Sequence, residues 1–501
     1  MREIKNIRFF ALGIILVVTF WAYSPSFYHI PRSDQIWYLV KTSQRQDWFS
    51  LAIKSFALNR DVIGSYSAGD EHLFRPGVYF VLGTEKHFLG YNYFLWQGFG
   101  IFLHLLVVLT LFRLLSRIQE GTLSYIWTGV FALFFPNTEA VIWQHINAYL
   151  LFTCLVLLSL EQIYLYFSDD SKSECVLIAA LFMTAATCIC EIGCLYDLCI
   201  FISLWMNKRG SKGRNFAFVF IFIAFIFILI DVVHLWIFKI IPQEPLSITI
   251  GWKFCGDFVK NLVFITKWFL TAPFLLTSDI GIHQRLEAAS ITLTWGWPFN
   301  DWHWSRIAGL FVISIFVFLI TMALRYQARL NKPFIFLVLF LLFAYLFILT
   351  LGRVSTRGLQ GALYNTLYYF YNFWCLFIIF LHSISADYVK HISKKKRLAL
   401  TAVLMAFVFI QALAIHGMNQ KITLKVRPMR ELFVSIDDLI HKHGHERNFS
   451  FFVYPSVTGN PYFTNITDPG WSRKYKTITE LLYLRYFDGY HPKYILKPPV
   501  F

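Results

Sequence analysis

The sequence predicts an all-α polytopic membrane protein with about eleven transmembrane helices. Of its 501 residues, 57% are apolar and only 15% are charged, whereas an ordinary soluble protein has about 45–50% apolar and about 25% charged residues. The apolar residues also come in runs of about 20, without the alternation of β-barrel strands, and runs of that length cross a bilayer as helices. A soluble enzyme and a disordered chain are therefore excluded.

The predicted spans follow from the apolar runs in order. The first run comes after a basic N-terminus, but it contains aromatic residues and no small-residue cleavage site, so we expect a retained helix rather than a signal peptide. Two runs, 122–136 and 192–206, are short and need flanking residues to cross. The eleven predicted spans are 9–27, 93–112, 122–136, 146–167, 175–191, 192–206, 215–241, 304–324, 333–351, 364–385 and 398–416.

The basic residues predict the orientation of these spans. A net charge of +16 would suggest a nucleic-acid partner in a soluble protein. Here, however, 18 Lys and Arg lie within the 53 residues of six short connections, while the short loop 137–145 on the opposite side holds none. This is the positive-inside pattern, so we expect the N-terminus in the cytoplasm, membrane lipid as a partner, and no nucleic acid.

Three long segments then lie on the outer side of the membrane, where we expect the function to reside. They are 28–92, 242–303 and 417–501. Part of the second, 258–278, is apolar but carries two lysines and a proline, so it is predicted to be re-entrant or interfacial. The predicted domains are a transmembrane domain over 1–416 and a small extracytoplasmic domain over 417–501. In a bacterium the outer side of the inner membrane is the periplasm, and in a eukaryote it is the lumen of the endoplasmic reticulum.

Ionisable side chains gather at the predicted outer helix ends. A charge near hydrocarbon costs about 2.5–3.5 kcal/mol on insertion scales, so such residues are functional candidates by default. One acid follows the first helix, a polar group precedes Pro76, another group joins the third and fourth spans, and two arginines follow the ninth. The candidates are Asp34, Glu71, His72, Arg75, Glu139, His145, Arg353 and Arg357.

The order of these groups resembles that of the membrane-embedded glycosyltransferases of the GT-C fold. The likeness lies in an Asp soon after the first helix, the Phe74-Arg75-Pro76 segment, the stretch from Pro136 to Trp143, and Gly-Arg ahead of a Tyr-rich helix. It covers roughly residues 1–390. The chain departs from the pattern at Asn147, where many relatives have Arg, and at 365–368, where many have Ser-Arg-Tyr. Length and layout are also similar to bacterial serotype-converting O-antigen glucosyltransferases.

The resemblance implies a GT-C-like enzyme that moves a hexose, glucose in the O-antigen enzymes, from a polyprenyl-phosphate carrier such as undecaprenyl phosphate. The implied acceptor is a hydroxyl of an outer-face glycan or lipid-linked glycan, such as the O-antigen of lipopolysaccharide. This chemistry needs a base for the hydroxyl and cations for the departing phosphate. The implied roles are catalytic base for Asp34, donor-phosphate binding for Arg353 with Arg75 and Arg357, and substrate binding for Glu71, His72, Glu139 and His145.

Each of these roles has a structural alternative. Asp34 follows Ser33 and precedes an apolar run, so it is also a candidate helix cap. Arg353 is at a predicted helix end, from which its side chain could reach lipid headgroups. Glu139 follows Asn137-Thr138 and fits the first turn of a helix equally well.

No metal site is identified in the sequence, and a divalent metal stays open without a ligand set. Cys188, Cys190 and Cys194 match no tetrahedral zinc spacing and are predicted to pack among helices. His441, His443 and His445 are predicted to lie in a solvated turn.

Other functions are also compatible with the sequence. A protein O-glycosyltransferase would share the fold and differ in its acceptor. A lipid or glycan transporter would use ionisable residues deep in helices, for which Glu161, Asp231 and His234 are available. The sequence lacks the inverted halves common in carriers. A non-catalytic scaffold fits the composition but leaves the outer polar groups unexplained.

Overall fold

The computed structural model describes residues 2–29, 75–90, 92–143, 146–169, 171–207, 211–238, 332–354, 370–391 and 393–443. All regular structure within these ranges is helical, with short 3-10 turns at Ser24–Tyr28 and Phe135–Asn137. The α-helices are α1 (Arg2–Tyr23), α2 (Pro76–Leu89), α3 (Tyr93–Ile118), α4 (Thr122–Ala132), α5 (Thr138–Ile142), α6 (Asn147–Ser168), α7 (Glu174–Ile189), α8 (Ile192–Met206), α9 (Ser211–Phe238), α10 (Lys332–Val354), α11 (Tyr371–His391) and α12 (Lys394–His443).

A helix lies on ten of the eleven predicted spans, and the eleventh, 304–324, is outside the described residues. Within the described residues, four stretches are both long and apolar enough to cross a membrane by length and composition. The predicted number of eleven transmembrane helices is therefore not confirmed, although the described part of the chain is an apolar helical bundle as predicted. The four stretches are Phe10–Tyr28, Tyr93–Ile118, Asn147–Ser168 and Lys395–Leu424.

Two helix ends differ from the prediction. Helix α4 ends at Ala132 and not at residue 136, since the chain turns into the 3-10 segment that contains Pro136. Proline removes a backbone donor and disfavours continuation of a helix. Helix α12 instead continues without a break past 416 to His443. At 50 residues it is about 75 Å long, against a hydrocarbon core of about 30 Å. The predicted boundary at 416/417 thus falls inside a helix, and the division into domains stays a prediction.

The outside of the bundle is covered by large apolar side chains. Phe222 and Phe225 on α9 and Phe409 on α12 each have about 60% of their surface exposed. In water such surfaces would drive association, whereas lipid solvates them. The described structure is therefore that of an integral membrane protein.

The interior is packed around α6, which contacts α3, α7 and α11. Small residues on α7, Ala179, Ala180 and Ala186, are fully or almost fully buried and allow close approach of the backbones. Helix α8 packs between α9 and α10, and α12 packs against α1 and α4. Helix α2 is different: it is not among the apolar helices, and it lies against α7, α6 and α3. We call the end of the bundle where α2 lies the α2 end.

Candidate functional site

The start of α2 lies directly on the backbone that ends α7. A Cβ atom added to Gly77 would come within 2.7 Å of Ile189 Cγ1 and within 3.0 Å of the Cys188 carbonyl oxygen. Only glycine fits such a gap. Any larger residue at position 77 would push the start of α2 away from the end of α7. This contact brings the residue before α2, Arg75, next to the residue before α8, Glu191.

Arg75 and Glu191 form a two-pronged ion pair across 116 residues of sequence. Arg75 Nε donates to Glu191 Oε2 at 2.7 Å, and Arg75 Nη2 donates to Glu191 Oε1 at 2.6 Å. Parallel bonds of this kind are among the strongest charged hydrogen bonds in proteins. The two side chains keep 19% and 33% of their surface exposed, so the pair is only partly buried.

The pair also sets the ionisation of both groups. Burial alone would raise the pKa of the Glu191 carboxyl, but the Arg75 guanidinium outweighs it and holds that pKa below its ordinary value. Burial would likewise lower the pKa of Arg75, and the Glu191 charge raises it well above its ordinary value instead. Both residues are therefore charged at neutral pH.

A second acid, Glu85, lies on the buried face of α2. It has 1% of its surface exposed, and its Oε1 accepts a hydrogen bond from Asn147 Nδ2 at 2.6 Å. Glu85 Oε2 and Asn147 Oδ1 have no hydrogen-bond partner within the described part of the chain. Burial raises the pKa of Glu85 to about 8, and the bond from Asn147 lowers it only in part. Glu85 is therefore mainly a neutral acid at pH 7.

Asn147 is the first residue of α6 and is held in place by α3. A Cβ atom on Gly100 would lie 2.8 Å from Asn147 Oδ1, so α3 needs glycine at this level. One turn earlier on α3, Gln97 Nε2 donates to the Val141 carbonyl at 3.1 Å. Asn147 is also a position at which the chain departs from the GT-C pattern, and here it serves as the hydrogen-bond donor to Glu85.

The connection from α4 to α6 is folded inward rather than spread over the surface. The backbone N–H of Phe135 donates to Gln411 Oε1 of α12 at 2.9 Å, and Asn137 Nδ2 donates to the Phe131 carbonyl at 3.0 Å. Glu139 lies in the first turn of α5 with 5% of its surface exposed. This position agrees with its alternative role at a helix start, and its predicted contact with substrate stays a prediction.

Deeper in the bundle, hydrogen bonds tie the start of α11 to its neighbours. His104 Nε2 lies 2.9 Å from the Ala132 carbonyl and therefore carries the hydrogen, so its Nδ1 accepts from the Tyr371 hydroxyl at 2.6 Å. The Tyr196 hydroxyl donates to Asn372 Oδ1 at 2.7 Å. These buried bonds hold α3, α4, α8 and α11 in fixed register beneath the α2 end.

The structure describes the side chains of only two of the predicted site residues, Arg75 and Glu139, and does not bring them into a described contact. Arg353 lies in the last turn of α10, and nothing is described of its side chain. The geometry that links Asp34 to Arg353 therefore stays a prediction. Asp34, Glu71, His72, His145 and Arg357 lie outside the described residues.

Sequence reasoning missed Glu191 and Glu85. A signal for Glu191 was present, since an acid between two adjacent apolar runs, 175–191 and 192–206, has little reason to be there without a partner. Glu85 gave no such signal because it lies among Thr84, Lys86 and His87, which suggest a solvated segment. Its burial comes entirely from the packing of α2.

Within the described residues no group of three His, Cys, Asp or Glu side chains could hold a metal ion. The seven cysteines in this part of the chain are all free thiols. Cys188, Cys190 and Cys194 lie at the end of α7 and the start of α8, where Cys190 and Cys194 are buried.

One of the three acids or histidines considered for a transporter is engaged elsewhere. Glu161, fully buried on α6 at the far end from α2, accepts two bonds from Arg113 Nε, at 2.7 and 2.9 Å, and pairs with Arg117. These contacts tie α6 to α3. The side chains of Asp231 and His234 are outside the described part of α9.

No protein-family model matches the chain, and no curated protein matches it. Among solved structures, it is similar to the archaeal oligosaccharyltransferase AglB from Archaeoglobus fulgidus in complex with an inhibitory peptide and a dolichol-phosphate, with a TM-score of 0.43 and 11% identity over 86% of this chain and 59% of that one. A structure of the Archaeoglobus fulgidus oligosaccharyltransferase tethered with an acceptor peptide gives a TM-score of 0.39 and 11% identity. The match covers 95% of this chain and 59% of that one. The chain thus spans 59% of the length of these structures. Likenesses at these scores do not establish a shared fold.

Proposed function

We propose that this chain is a membrane glycosyltransferase of the GT-C type, which moves a hexose from a polyprenyl-phosphate carrier to a glycan hydroxyl on the outer face. The observation that carries the proposal is the Arg75–Glu191 pair, together with buried Glu85, at the α2 end of the bundle. Ionisable groups in such surroundings are costly, and they mark functional sites. In the predicted topology this end faces outward, where a lipid-borne sugar would be presented.

The reaction needs two kinds of group at this boundary. The bond between the anomeric carbon and the carrier phosphate breaks, the phosphate leaves with the bonding electrons, and the acceptor hydroxyl gives up its proton as it bonds to the sugar. A guanidinium stabilises the departing phosphate, and it keeps its charge near lipid. Arg75 is the described candidate for this role, beside Arg353 and Arg357. A carboxylate accepts the hydroxyl proton, and Asp34 is the proposed base.

The remaining assignments concern substrate contacts. Glu71 and His72 precede Arg75 by a few residues in the sequence. Glu139 lies in the inward-folded connection to α6, and His145 follows it by six residues in the sequence. We assign all four to binding of sugar or acceptor. For a bacterial host the proposed donor is undecaprenyl-phosphate glucose, the acceptor is O-antigen, and the membrane is the inner membrane.

The experiment is an in vitro transfer assay with purified protein, defined polyprenyl-phosphate hexoses and a glycan acceptor, without any ion gradient. Asp34→Asn should lower transfer by about 10²–10⁴-fold, the usual contribution of a general base. Asp169→Asn is the matched control, because Asp169 is an exposed turn residue at the opposite end of the bundle and should leave transfer unchanged. Absence of transfer with every donor, together with gradient-driven flux in vesicles, would support a carrier and overturn the proposal.

A further inference from the structure

We infer that Glu191 is a positioning residue: it holds the Arg75 guanidinium so that the remaining edge of that group faces the phosphate of a lipid-linked donor. The inference rests on the proposed function. It assigns one contact with the donor phosphate to two residues that are far apart in sequence and adjacent in the structure. Three features of the α2 end support it, namely the geometry of the pair, its accessibility and the way α2 is anchored.

The geometry leaves part of Arg75 available. A guanidinium has three nitrogens in one plane, and Glu191 is bonded to Nε and Nη2. The third nitrogen, Nη1, is not part of the pair. Because a carboxylate bound in this way fixes the plane of the guanidinium, Nη1 points in a defined direction and its N–H groups can donate to phosphate oxygens.

The pair is also partly exposed. Glu191 and Arg75 keep 33% and 19% of their side-chain surface exposed, whereas Glu161 is fully buried beneath Arg113 and Arg117, which keep 53% and 44%. A lipid phosphate at the α2 end could therefore contact Arg75 without breaking the pair. The group around Glu161 serves as an internal comparison because it lies at the opposite end of the bundle, away from the proposed donor site.

The charge around the pair favours an anion. The starts of α2 and α8 both lie at the pair, since Arg75 and Glu191 are the residues that precede them. A helix start carries roughly +0.5 of a charge, so the two starts and one guanidinium outweigh the single Glu191 carboxylate by about one charge. Glu191 thus orients Arg75 without cancelling the positive field that a phosphate requires.

Helix α2 does not need the pair as an anchor. Val81 and Leu82 bury their side chains against the bundle, and Gly77 lies directly on the end of α7. Beyond the other end of α2, the Trp96 indole donates to the Gly90 carbonyl at 3.0 Å. Because these contacts already hold α2 against the bundle, the Arg75–Glu191 pair is not needed to attach the helix.

The test uses the purified full chain and measures the KM for polyprenyl-phosphate hexose, kcat, thermal unfolding and direct binding of sugar-free polyprenyl phosphate by native mass spectrometry. Glu191→Gln keeps an acceptor for one Arg75 N–H but removes the charge that holds the plane. We expect about tenfold higher KM and about tenfold weaker polyprenyl-phosphate binding, with kcat within about twofold of wild type. The matched control Glu161→Gln should alter thermal unfolding and leave donor KM unchanged.

The exchange variant Arg75→Glu/Glu191→Arg separates positioning from clamping. It restores the ion pair between the same two helices but moves the guanidinium to α8. Under our inference, thermal unfolding recovers while donor KM and polyprenyl-phosphate binding stay impaired. Recovery of all three, or a Glu191→Gln donor KM equal to that of wild type, overturns the inference and leaves the proposed function intact. If wild-type protein transfers no sugar, the proposed function fails, and the binding measurement alone then decides whether Glu191 acts on a phosphate contact.

Discussion

Glu85→Gln is the substitution whose effect on stability can be worked out most directly from the structure. Glutamine has the shape of a protonated glutamate, so its Oε1 can accept from Asn147 Nδ2 as Glu85 does. In the wild type, Glu85 Oε2 and Asn147 Oδ1 have no hydrogen-bond partner in the described part of the chain. The amide N–H groups of glutamine add a donor at this position. The variant should therefore keep the contact and lose only the ionisation.

The size of the effect follows from the pKa. The pKa of Glu85 is raised from 4.5 to about 8 in the folded protein. Between these values the unfolded chain has released the proton that the folded chain still holds, so folding stability falls as pH rises through this window and levels off above it. At about 1.4 kcal/mol per pKa unit, the penalty is about 3 kcal/mol at pH 7 and approaches about 5 kcal/mol above pH 8. Glu85→Gln should remove it.

The assay is denaturant or thermal unfolding in detergent, followed by tryptophan fluorescence, at about pH 5, 7 and 8. Wild type and Glu85→Gln should nearly coincide at the lowest pH, and the variant should become progressively more stable toward the highest. Glu85→Asp is the control, since it keeps an ionisable carboxyl and should keep the pH dependence. Parallel curves for wild type and Glu85→Gln across this range would refute the reasoning, because Glu85 would then ionise equally in both states.

Two further substitutions test packing beneath the α2 end. Tyr371→Phe leaves His104 Nδ1 buried without a hydrogen-bond donor, so it should lower the free energy of unfolding by about 1–3 kcal/mol. Tyr164→Phe is the control, because it removes only a 3.5 Å contact and should have little effect. Gly193→Ala would place a Cβ atom 2.4 Å from Thr187 Oγ1, and the overlap should cost about 1–3 kcal/mol despite the higher helix propensity of alanine. Unfolding midpoints measure both; an alanine variant at 193 that exceeds wild type would show that the two helices have room to separate.

The helical segments could be predicted because an apolar run of sufficient length has few other structures available in a membrane. Their ends were less predictable. Pro136 ends regular helix near α4, as its missing N–H suggests, whereas Gly417 and Pro428 lie inside α12 without ending it. Local propensity is a weak guide where packing decides, and α12 is held by contacts with α1 and α4 that no local pattern records.

The candidate site was predictable only in part, for a related reason. Arg75 stood out because an arginine before Pro76 near predicted hydrocarbon is costly. Its partner Glu191 is 116 residues away, and the two meet only because Gly77 lets α2 lie on the end of α7. Glu85 was not foreseen because its neighbours in sequence are polar, and burial of one residue of a short helix depends on which face that helix turns to the bundle.

The asparagine at position 147 accounts for the protonation state of Glu85. An acid with 1% of its surface exposed can be stabilised as an ion by a nearby cation or remain neutral with hydrogen bonds alone. Glu161 has two guanidiniums beside it, those of Arg113 and Arg117. Glu85 has only the amide of Asn147, at a position where the GT-C pattern often has arginine. Because asparagine carries no charge, the effect of burial dominates and the pKa of Glu85 rises. Glu85 is therefore a neutral acid beneath α2, and the positive charge of the α2 end remains on Arg75. Under the proposed function, a phosphate bound at Arg75 would meet one carboxylate, that of Glu191, instead of two.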